Sequence, residues 1–281
     1  MTDRQTEIAE GQGAVPPQAA ADVDHRLVAA GLSAGYDERR VLEELDLQVP
    51  EGSFTVIIGP NACGKSTLLR SLARLLRPES GEVLLDGSSI ASVPAKALAR
   101  TIGLLPQSPT APDGISVADL VSRGRHPHQG LMRRWSRADE EAVLAALEAT
   151  GMVELADRPV DELSGGQRQR AWIAMALAQQ TPLLLLDEPT TYLDIAHQIE
   201  VLELCAALQR QGRTLVAVLH DLNQALRHAT HVVAMREGRI VAQGAPEAVG
   251  TAELVEEVFG LASRVIEDPE TGRPLVIPRA P

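Results

Sequence analysis

Four short runs of this chain consist almost entirely of apolar residues, without a regular alternation of polar and apolar positions. They lie at residues 54–58, 183–186, 214–219 and 231–235. Strands that are apolar on both faces are typical of a parallel sheet that is covered by helices on both sides. Between these runs, residues 64–76 repeat apolar positions at the spacing of a helix. The sequence therefore predicts an α/β fold.

Two other segments differ from this pattern. Between about Leu27 and Val49, short apolar runs with turn residues between them predict antiparallel strands, and residues 79–81 predict a turn. Residues 108–178 open with a loop that contains proline and glycine, and they then continue as predicted helices. We expect an antiparallel β subdomain before the parallel sheet and an α-helical subdomain inserted at about 108–178.

The ends of the chain have different compositions. Residues 1–24 are rich in Ala, Gln, Gly and Pro, which predicts a mobile tail before a main domain at 25–250. Residues 251–281 form a predicted C-terminal extension, in which Pro269, Gly272 and Pro274 between apolar pairs indicate a hairpin. The sequence alone assigns no role to this extension.

Charge and cysteine content restrict the classes of function. The net charge of −12 argues against general binding to nucleic acid or to anionic lipid, both of which require a basic surface. The apolar runs are far shorter than the ~20 residues that a membrane-spanning helix needs. Residues 1–24 lack the order of a secretory signal, so we expect a reduced, cytosolic environment for the two cysteines.

A phosphate-binding loop follows the first apolar run. It reads Gly59-Pro60-Asn61-Ala62-Cys63-Gly64-Lys65-Ser66-Thr67 and matches the pattern G-x-x-x-x-G-K-[ST] between a strand and a helix. Backbone amides of such a loop surround phosphates, Lys65 reaches the terminal phosphates and Ser66 binds Mg²⁺. Only two of the 26 basic residues are lysines, Lys65 and Lys96, so lysine is retained where a compact charge is required.

Two carboxylates end the second apolar run. Asp187 and Glu188 follow residues 183–186 directly. In phosphate-loop enzymes an aspartate at this place holds Mg²⁺, directly or through water. Glu188, one residue further, is predicted to orient or deprotonate the attacking water.

The segment Leu163-Ser164-Gly165-Gly166-Gln167 resembles the signature of the ABC ATPase family. The resemblance covers about residues 26–250, with every motif in the family's order. It implies a RecA-like phosphate-loop core, binding of ATP and Mg²⁺, and a second anion site built from Ser164, the two glycines and Gln167. In the family this second site faces the γ-phosphate that the other subunit holds, so that ATP lies between two copies of the chain.

Four further positions match motifs of the same family. The resemblance implies that Tyr36 stacks on adenine and that Gln107 senses Mg²⁺ and the attacking water. It also implies that Asp194 lies in a loop that crosses to the partner copy, and that His220 is the switch histidine at the γ-phosphate. Ala62 departs from the glycine of many members, and a positive φ at this residue would cost roughly 1 kcal/mol without abolishing activity.

The resemblance also implies partners and a location. We expect a second copy of the chain, transmembrane permease subunits and, indirectly, a substrate-binding protein, with the cassette peripheral on the cytoplasmic face of the membrane. No nucleic-acid partner is expected.

Finer features resemble one subfamily, the cassettes of ferric-siderophore importers. They are Arg123-Gly124-Arg125-His126-Pro127-His128-Gln129, Arg134-Trp135, and the stretches 139–143, 190–198 and 219–225. Haem and vitamin B12 importers use related cassettes and stay open as alternatives. A soluble ABC ATPase of DNA repair or translation is a further alternative, although the chain shows neither two cassettes nor a long coiled-coil insert. The segment 126–128 is interpreted as a loop and not as a metal site, since no third ligand has a recognisable spacing.

Overall fold

The computed structural model describes residues 25–37, 39–130 and 135–279, so the tail predicted at 1–24 lies outside the described residues. The strands are β1 (His25–Tyr36), β2 (Arg39–Pro50), β3 (Phe54–Ile58), β4 (Ser80–Leu85), β5 (Ser88–Ser89), β6 (Ile102–Leu105), β7 (Leu183–Asp187), β8 (Thr214–Val218), β9 (His231–Arg236), β10 (Arg239–Gly244), β11 (Ser263–Glu267) and β12 (Pro274–Pro278). The helices are α1 (Lys65–Leu72), α2 (Ala95–Thr101), α3 (Val117–Ser122), α4 (Arg137–Ala149), α5 (Gly165–Ala178), α6 (Ile195–Arg210), α7 (Leu222–His228), α8 (Pro246–Val249) and α9 (Ala252–Phe259), with 3-10 helices at Arg123–His128, Val153–Leu155 and Val160–Glu162.

The four apolar runs form the centre of a six-stranded sheet. Its strand order is β10-β9-β3-β8-β7-β6, and all pairs are parallel except the edge pair β10-β9. Every residue of β3, β7 and β8 is buried. Each of these strands lies between two others, and helices cover both faces, which explains why no polar alternation appears in their sequences. The predicted α/β fold is confirmed.

A second sheet holds the predicted antiparallel strands, in the order β2-β1-β4-β5. Its buried leucines, including Leu27 and Leu42, belong to one apolar core with residues of α1 such as Leu68 and Leu72. This core therefore fixes the second sheet against the helix that follows the phosphate-binding loop.

Two predicted boundaries differ from the structure. Ser80 and Gly81 were expected in a turn but open β4, where Gly81 faces a bulge in β1. A Cβ at Gly81 would lie 2.2 Å from the carbonyl oxygen of Gly31, so glycine permits this pairing. The helix expected to reach residue 76 ends at Leu72, because Arg74 has a positive φ of 58°.

The predicted helical insert contains α3, α4 and α5, which pack on one another through buried residues such as Val121, Leu147 and Trp172. The segment 126–128, interpreted from sequence as a loop, belongs instead to the 3-10 helix Arg123–His128. Since side chains of this helix bond to backbone carbonyls at the end of α5, it holds a regular conformation: His128 Nε2 lies 2.8 Å from the carbonyl oxygen of Gln179.

A buried ion pair organises the same region. Arg125 Nε donates to Asp139 Oδ1 at 3.0 Å, and both side chains are almost completely buried. The Arg125 guanidinium also donates to the carbonyl oxygen of Ala178 at 2.7 Å and to Gln180 Oε1 at 3.0 Å. Arg125 therefore connects the start of α4 with the end of α5. This contact explains structurally why an arginine lies in the stretch 123–129 and an aspartate in the stretch 139–143.

The C-terminal extension contains the predicted hairpin, formed by β11 and β12 in antiparallel pairing. Two short helices, α8 and α9, precede it and were not predicted. Among the described residues, no helix has the length and apolar character that crossing a membrane requires.

We expect the variant Asp139→Ala to lower the free energy of unfolding by about 3 kcal/mol, because it leaves the buried Arg125 guanidinium without its counterion. Hydrogen bonds from Ser136 and Arg125 lower the pKa of Asp139 to about 2. The stabilisation from this lowered pKa is complete at neutral pH and is lost as the pH falls from about 4 toward 2. Urea unfolding at several pH values measures both effects.

A matched control is Glu141→Ala, which removes the exposed pair between Glu141 and Arg137 at 2.9 Å. This variant should change the free energy of unfolding by less than about 0.5 kcal/mol. Equal effects of the two variants would contradict the importance of the buried pair.

Candidate active site

The loop between β3 and α1 lies close to other segments at both ends, against backbone at Gly59 and against a side chain at Gly64. A Cβ at Gly59 would lie 2.2 Å from the carbonyl oxygen of Met235, and one at Gly64 would lie 2.8 Å from Leu42 Cδ2. Both glycines have a positive φ, 152° and 105°. The loop is therefore held against the two sheets in one conformation.

Helix α1 begins at this loop without a side-chain cap. Its N-cap residue is Gly64, and its first turn contains no acidic residue. The first amides of the helix therefore have no side-chain acceptor, and together with the helix dipole they favour an anion. Lys65 adds a buried ammonium group, whose Nζ donates to the carbonyl oxygens of Gly59 and Pro60 at 2.8 Å each.

A cavity of about 460 Å³ lies in front of the loop. Its lining residues come from the loop, from β2 and from segments that follow three strands of the parallel sheet: Val41, Asn61, Ala62, Gly64, Lys65, Ser66, Thr67, Gln107, Glu188 and His220. The structure thus brings together most of the predicted loop residues with all three predicted catalytic residues. The volume of the cavity, and the positive charge of Lys65 at one end of it, suit a polyphosphate.

Two of the three residues predicted to contact Mg²⁺, Ser66 and Asp187, are in direct contact, and the third, Gln107, lines the same cavity. Ser66 Oγ donates to Asp187 Oδ1 at 3.0 Å, and Asp187 is 2% exposed at the end of β7. Burial raises the pKa of Asp187, and the bond from Ser66 opposes this shift only in part. A hydroxyl and a carboxylate oxygen are ligands that Mg²⁺ accepts, and a cation would offset the cost of burying this carboxylate. The residues present therefore fit the metal.

Glu188 and His220 form a close pair. His220 Nε2 lies 2.7 Å from Glu188 Oε1, and Thr191 Oγ1 donates to Glu188 Oε2 at 3.2 Å. Glu188 is 8% exposed and has a positive φ of 55°, a strained conformation for a residue with a side chain. Both carboxylate oxygens are thus held in place at the edge of the cavity, where they can orient a nucleophile.

Ala62 has the positive φ that its position in the loop suggested, 60°. The strain expected from sequence is therefore present at this residue. Cys63, a residue of the loop itself, is buried in the apolar core beneath it, and burial raises the pKa of its thiol, so it contributes packing and no reactive thiolate.

Tyr36 lies outside the lining of the cavity. Its hydroxyl oxygen accepts a hydrogen bond from Arg70 Nη1 at 3.0 Å, and the residue is 40% exposed. Val41, which sequence reasoning missed, lines the cavity instead, next to Gly64. The available signal was the burial pattern of β2, in which Leu42 is buried and the apolar Val41 before it is only partly buried. Stacking of Tyr36 on adenine stays a prediction.

The predicted second anion site lies apart from this cavity, at the start of α5. Ser164 Oγ accepts from the Gln167 amide at 3.3 Å, and Gln167 Oε1 accepts from the Ser164 amide at 3.1 Å. Ser164 and Gly165 are exposed, and Gly166 packs against Leu193. This segment borders a second cleft of about 360 Å³, which Gln107 also lines.

Asp194 caps the start of α6, also outside the first cavity. Its Oδ1 accepts from the His197 amide at 3.0 Å and lies 2.8 Å from His197 Nδ1. The bond from the His197 amide contributes most to a lowered pKa of Asp194. Asp194 is exposed, and its contact with a second chain stays a prediction.

Comparison with known proteins identifies the family. Residues 42–191 match the ABC transporter family. The chain is also 58% identical over 254 residues to the ferric enterobactin transport ATP-binding protein FepC of Escherichia coli strain K12, with 90% of this chain and 94% of that protein covered. The chain belongs to the ABC transporter family. It is an ATP-hydrolysing cassette of that family, as the sequence predicted.

Further relatives agree with this assignment. The probable siderophore transport system ATP-binding protein YusV of Bacillus subtilis strain 168 is 55% identical over 248 residues, with 88% and 90% covered. The hemin import ATP-binding protein HmuV of Myxococcus xanthus strain DK1622 is 43% identical over 260 residues, with 89% and 97% covered.

Solved structures confirm the predicted phosphate-loop fold. A metal-chelate type ABC transporter in an inward-facing conformation matches with a TM-score of 0.78 at 29% identity, covering 92% of this chain and 98% of that chain. A bacterial ABC transporter cassette solved as a dimer matches with a TM-score of 0.70 at 27% identity, covering 78% and 98%.

We expect Lys65→Ala to weaken ATP binding by the isolated cassette by at least about tenfold, because it removes the buried charge from the loop. Calorimetric titration with ATP measures the affinity. The control is Lys96→Ala, since Lys96 is the other lysine of the chain and lies outside the cavity lining. Equal affinities of the two variants would contradict the assignment of Lys65.

Proposed function

We propose that this cassette hydrolyses ATP to power uptake of a ferric siderophore through a membrane permease. The proposed cargo rests on the high sequence identity of this chain to FepC and YusV over about nine-tenths of its length. This identity exceeds that to the hemin cassette HmuV.

In the proposed reaction, the loop residues 59–67 and the start of α1 bind the phosphates of ATP. Lys65 Nζ can exchange its bonds with the carbonyl oxygens of Gly59 and Pro60 for bonds with the terminal phosphates. Ser66 and Asp187 would hold Mg²⁺, which neutralises developing charge on the transferred phosphoryl group. Glu188 orients the attacking water and accepts its proton, while His220 and Thr191 hold the two carboxylate oxygens.

A second copy of the chain completes each site in this proposal. Ser164, Gly165, Gly166 and Gln167 would contact the γ-phosphate bound by the partner, and Asp194 would lie at the same interface. The exposed apolar side chains of Tyr192 and Ile195, 76% and 72% exposed beside these residues, support contact with another chain. ATP would then favour the closed dimer by binding it more tightly than the open one.

The division of labour along the chain follows from this proposal. Residues 25–250 form the ATPase domain, the helical insert at about 108–178 docks on the permease, and residues 251–281 form an extension. The cassette is peripheral on the cytoplasmic face of the membrane. A substrate-binding protein delivers the ferric siderophore to the permease without touching the cassette.

The variant Glu188→Gln is expected to bind ATP normally and to lower kcat by about two orders of magnitude or more, because the amide cannot accept a proton. Loss of the negative charge beside the γ-phosphate also favours the ATP-bound dimer, which size-exclusion chromatography with ATP detects. Turnover close to wild type would contradict the role of Glu188.

For the cargo, we expect a strain without this cassette to lose growth on a ferric siderophore as the sole iron source, together with uptake of the labelled iron complex. Expression of the wild-type chain should restore both, whereas Glu188→Gln should restore neither. If the strain takes up the siderophore normally but cannot grow on haem, the cargo is haem. If it loses only cobalamin uptake, the cargo is cobalamin, and in both cases the ATPase assignment is unchanged.

A further inference from the structure

The side chain of His220 is not fixed by burial. It is 48% exposed, although its Nε2 lies 2.7 Å from Glu188 Oε1. Its position therefore depends on the backbone on both sides. On the amino-terminal side, the Leu219 amide donates to the carbonyl oxygen of Ile57 at 3.2 Å, which ties the end of β8 to β3. On the carboxyl-terminal side, α7 begins two residues after His220.

Helix α7 is too short to be stable alone. It spans seven residues, Leu222–His228, and begins at Asp221, whose carboxylate accepts from the Gln224 amide at 2.9 Å. Isolated helices of this length do not form in water, so the contacts of α7 with other elements decide where it lies. The same contacts then decide where the residue two positions before it lies.

The C-terminal hairpin supplies one such contact through Asn223. The Val276 amide donates to Asn223 Oδ1 at 2.8 Å, and Asn223 Nδ2 donates to the carbonyl oxygen of Val276 at 3.1 Å. A side-chain amide carries one acceptor and donors in the arrangement of a peptide unit, so Asn223 pairs with the edge of β12 as a neighbouring strand would.

Two further contacts join α7 to the same hairpin. Val276 is 4% exposed and shares an apolar core with Leu226, a fully buried residue of α7. Arg227 Nε lies 3.7 Å from Asp268 Oδ2, in the turn that connects the two strands. Contacts from the hairpin therefore reach both the first and the last turn of α7.

We propose that Asn223 is a positioning residue for ATP hydrolysis, which ties α7 to β12 and thereby holds His220 against Glu188. This inference rests on the proposed roles of His220 and Glu188. It gives the extension a function: none of its described residues, 251–279, lines the cavity, but its hairpin sets the position of His220, which does.

The test is the steady-state ATPase activity of the full chain in a double-mutant cycle of Asn223→Ala and His220→Ala. In the wild-type background, Asn223→Ala should lower kcat by about tenfold with KM for ATP within about twofold, as expected for a misplaced group that does not bind nucleotide. In the His220→Ala background, Asn223→Ala should have no further effect on kcat, since it acts only through the histidine.

A structural defect without this coupling would give a different result. If Asn223→Ala lowers kcat by the same factor in both backgrounds, or does not lower it in the wild-type background, the positioning role is overturned. If His220→Ala keeps wild-type kcat, the proposed role of His220 in hydrolysis is wrong, and the positioning role of Asn223, which depends on it, is wrong as well.

Two more variants separate the hydrogen bonds from folding. Asn223→Asp keeps the acceptor for the Val276 amide but places a carboxylate oxygen against the Val276 carbonyl oxygen, so kcat should fall as in Asn223→Ala. Ile277→Ala changes an exposed residue of β12 next to Val276 and should keep wild-type kcat. A loss of kcat with Ile277→Ala equal to that with Asn223→Asp would show that any disturbance of the hairpin suffices, which overturns the specific role of Asn223.

Discussion

The active site depends on the order of three adjacent buried strands, β3, β8 and β7. They run parallel, so their carboxyl ends lie at the same edge of the sheet. The phosphate-binding loop follows β3, Glu188 follows β7 and His220 lies two residues after β8. Backbone pairing within the sheet therefore brings together groups that are far apart in sequence. Ser66 and Asp187, for example, are more than 120 residues apart and form a hydrogen bond.

Sequence reasoning succeeded where a function is carried by contiguous residues or by the end of a strand. The loop 59–67 carries its own pattern, and Glu188 and His220 each follow one of the four apolar runs, so their common place at one edge of the sheet could be predicted from the strands. Gln107 was placed by the family resemblance. Contacts between distant segments could not. The Arg125–Asp139 pair and the bonds from Asn223 to Val276 join residues 14 and 53 positions apart, and nothing in either segment names its partner. Val41 was missed because it reaches the cavity from the other sheet.

Among the described residues, nine that are not glycine have a positive φ, and two of these, Ala62 and Glu188, line the cavity. Ala62, Glu188 and Tyr192 all adopt a left-handed conformation although none is glycine. Each conformation costs roughly 1 kcal/mol or more, and the surrounding structure sustains it through packing and hydrogen bonds. The strain was foreseen only at Ala62, where a motif specifies the backbone. At the other two residues the backbone conformation is imposed by the tertiary structure, which a single sequence does not reveal.

The bonds from Asn223 to Val276 involve main-chain atoms of the hairpin and no side-chain atom. Any residue other than proline at position 276 could supply the same amide and carbonyl groups. Selection on this attachment would therefore act on the asparagine and on the shape of the buried side chain at 276, while most of the hairpin sequence is free to drift. We expect the extension to diverge in sequence faster than α7 among relatives that keep the same attachment.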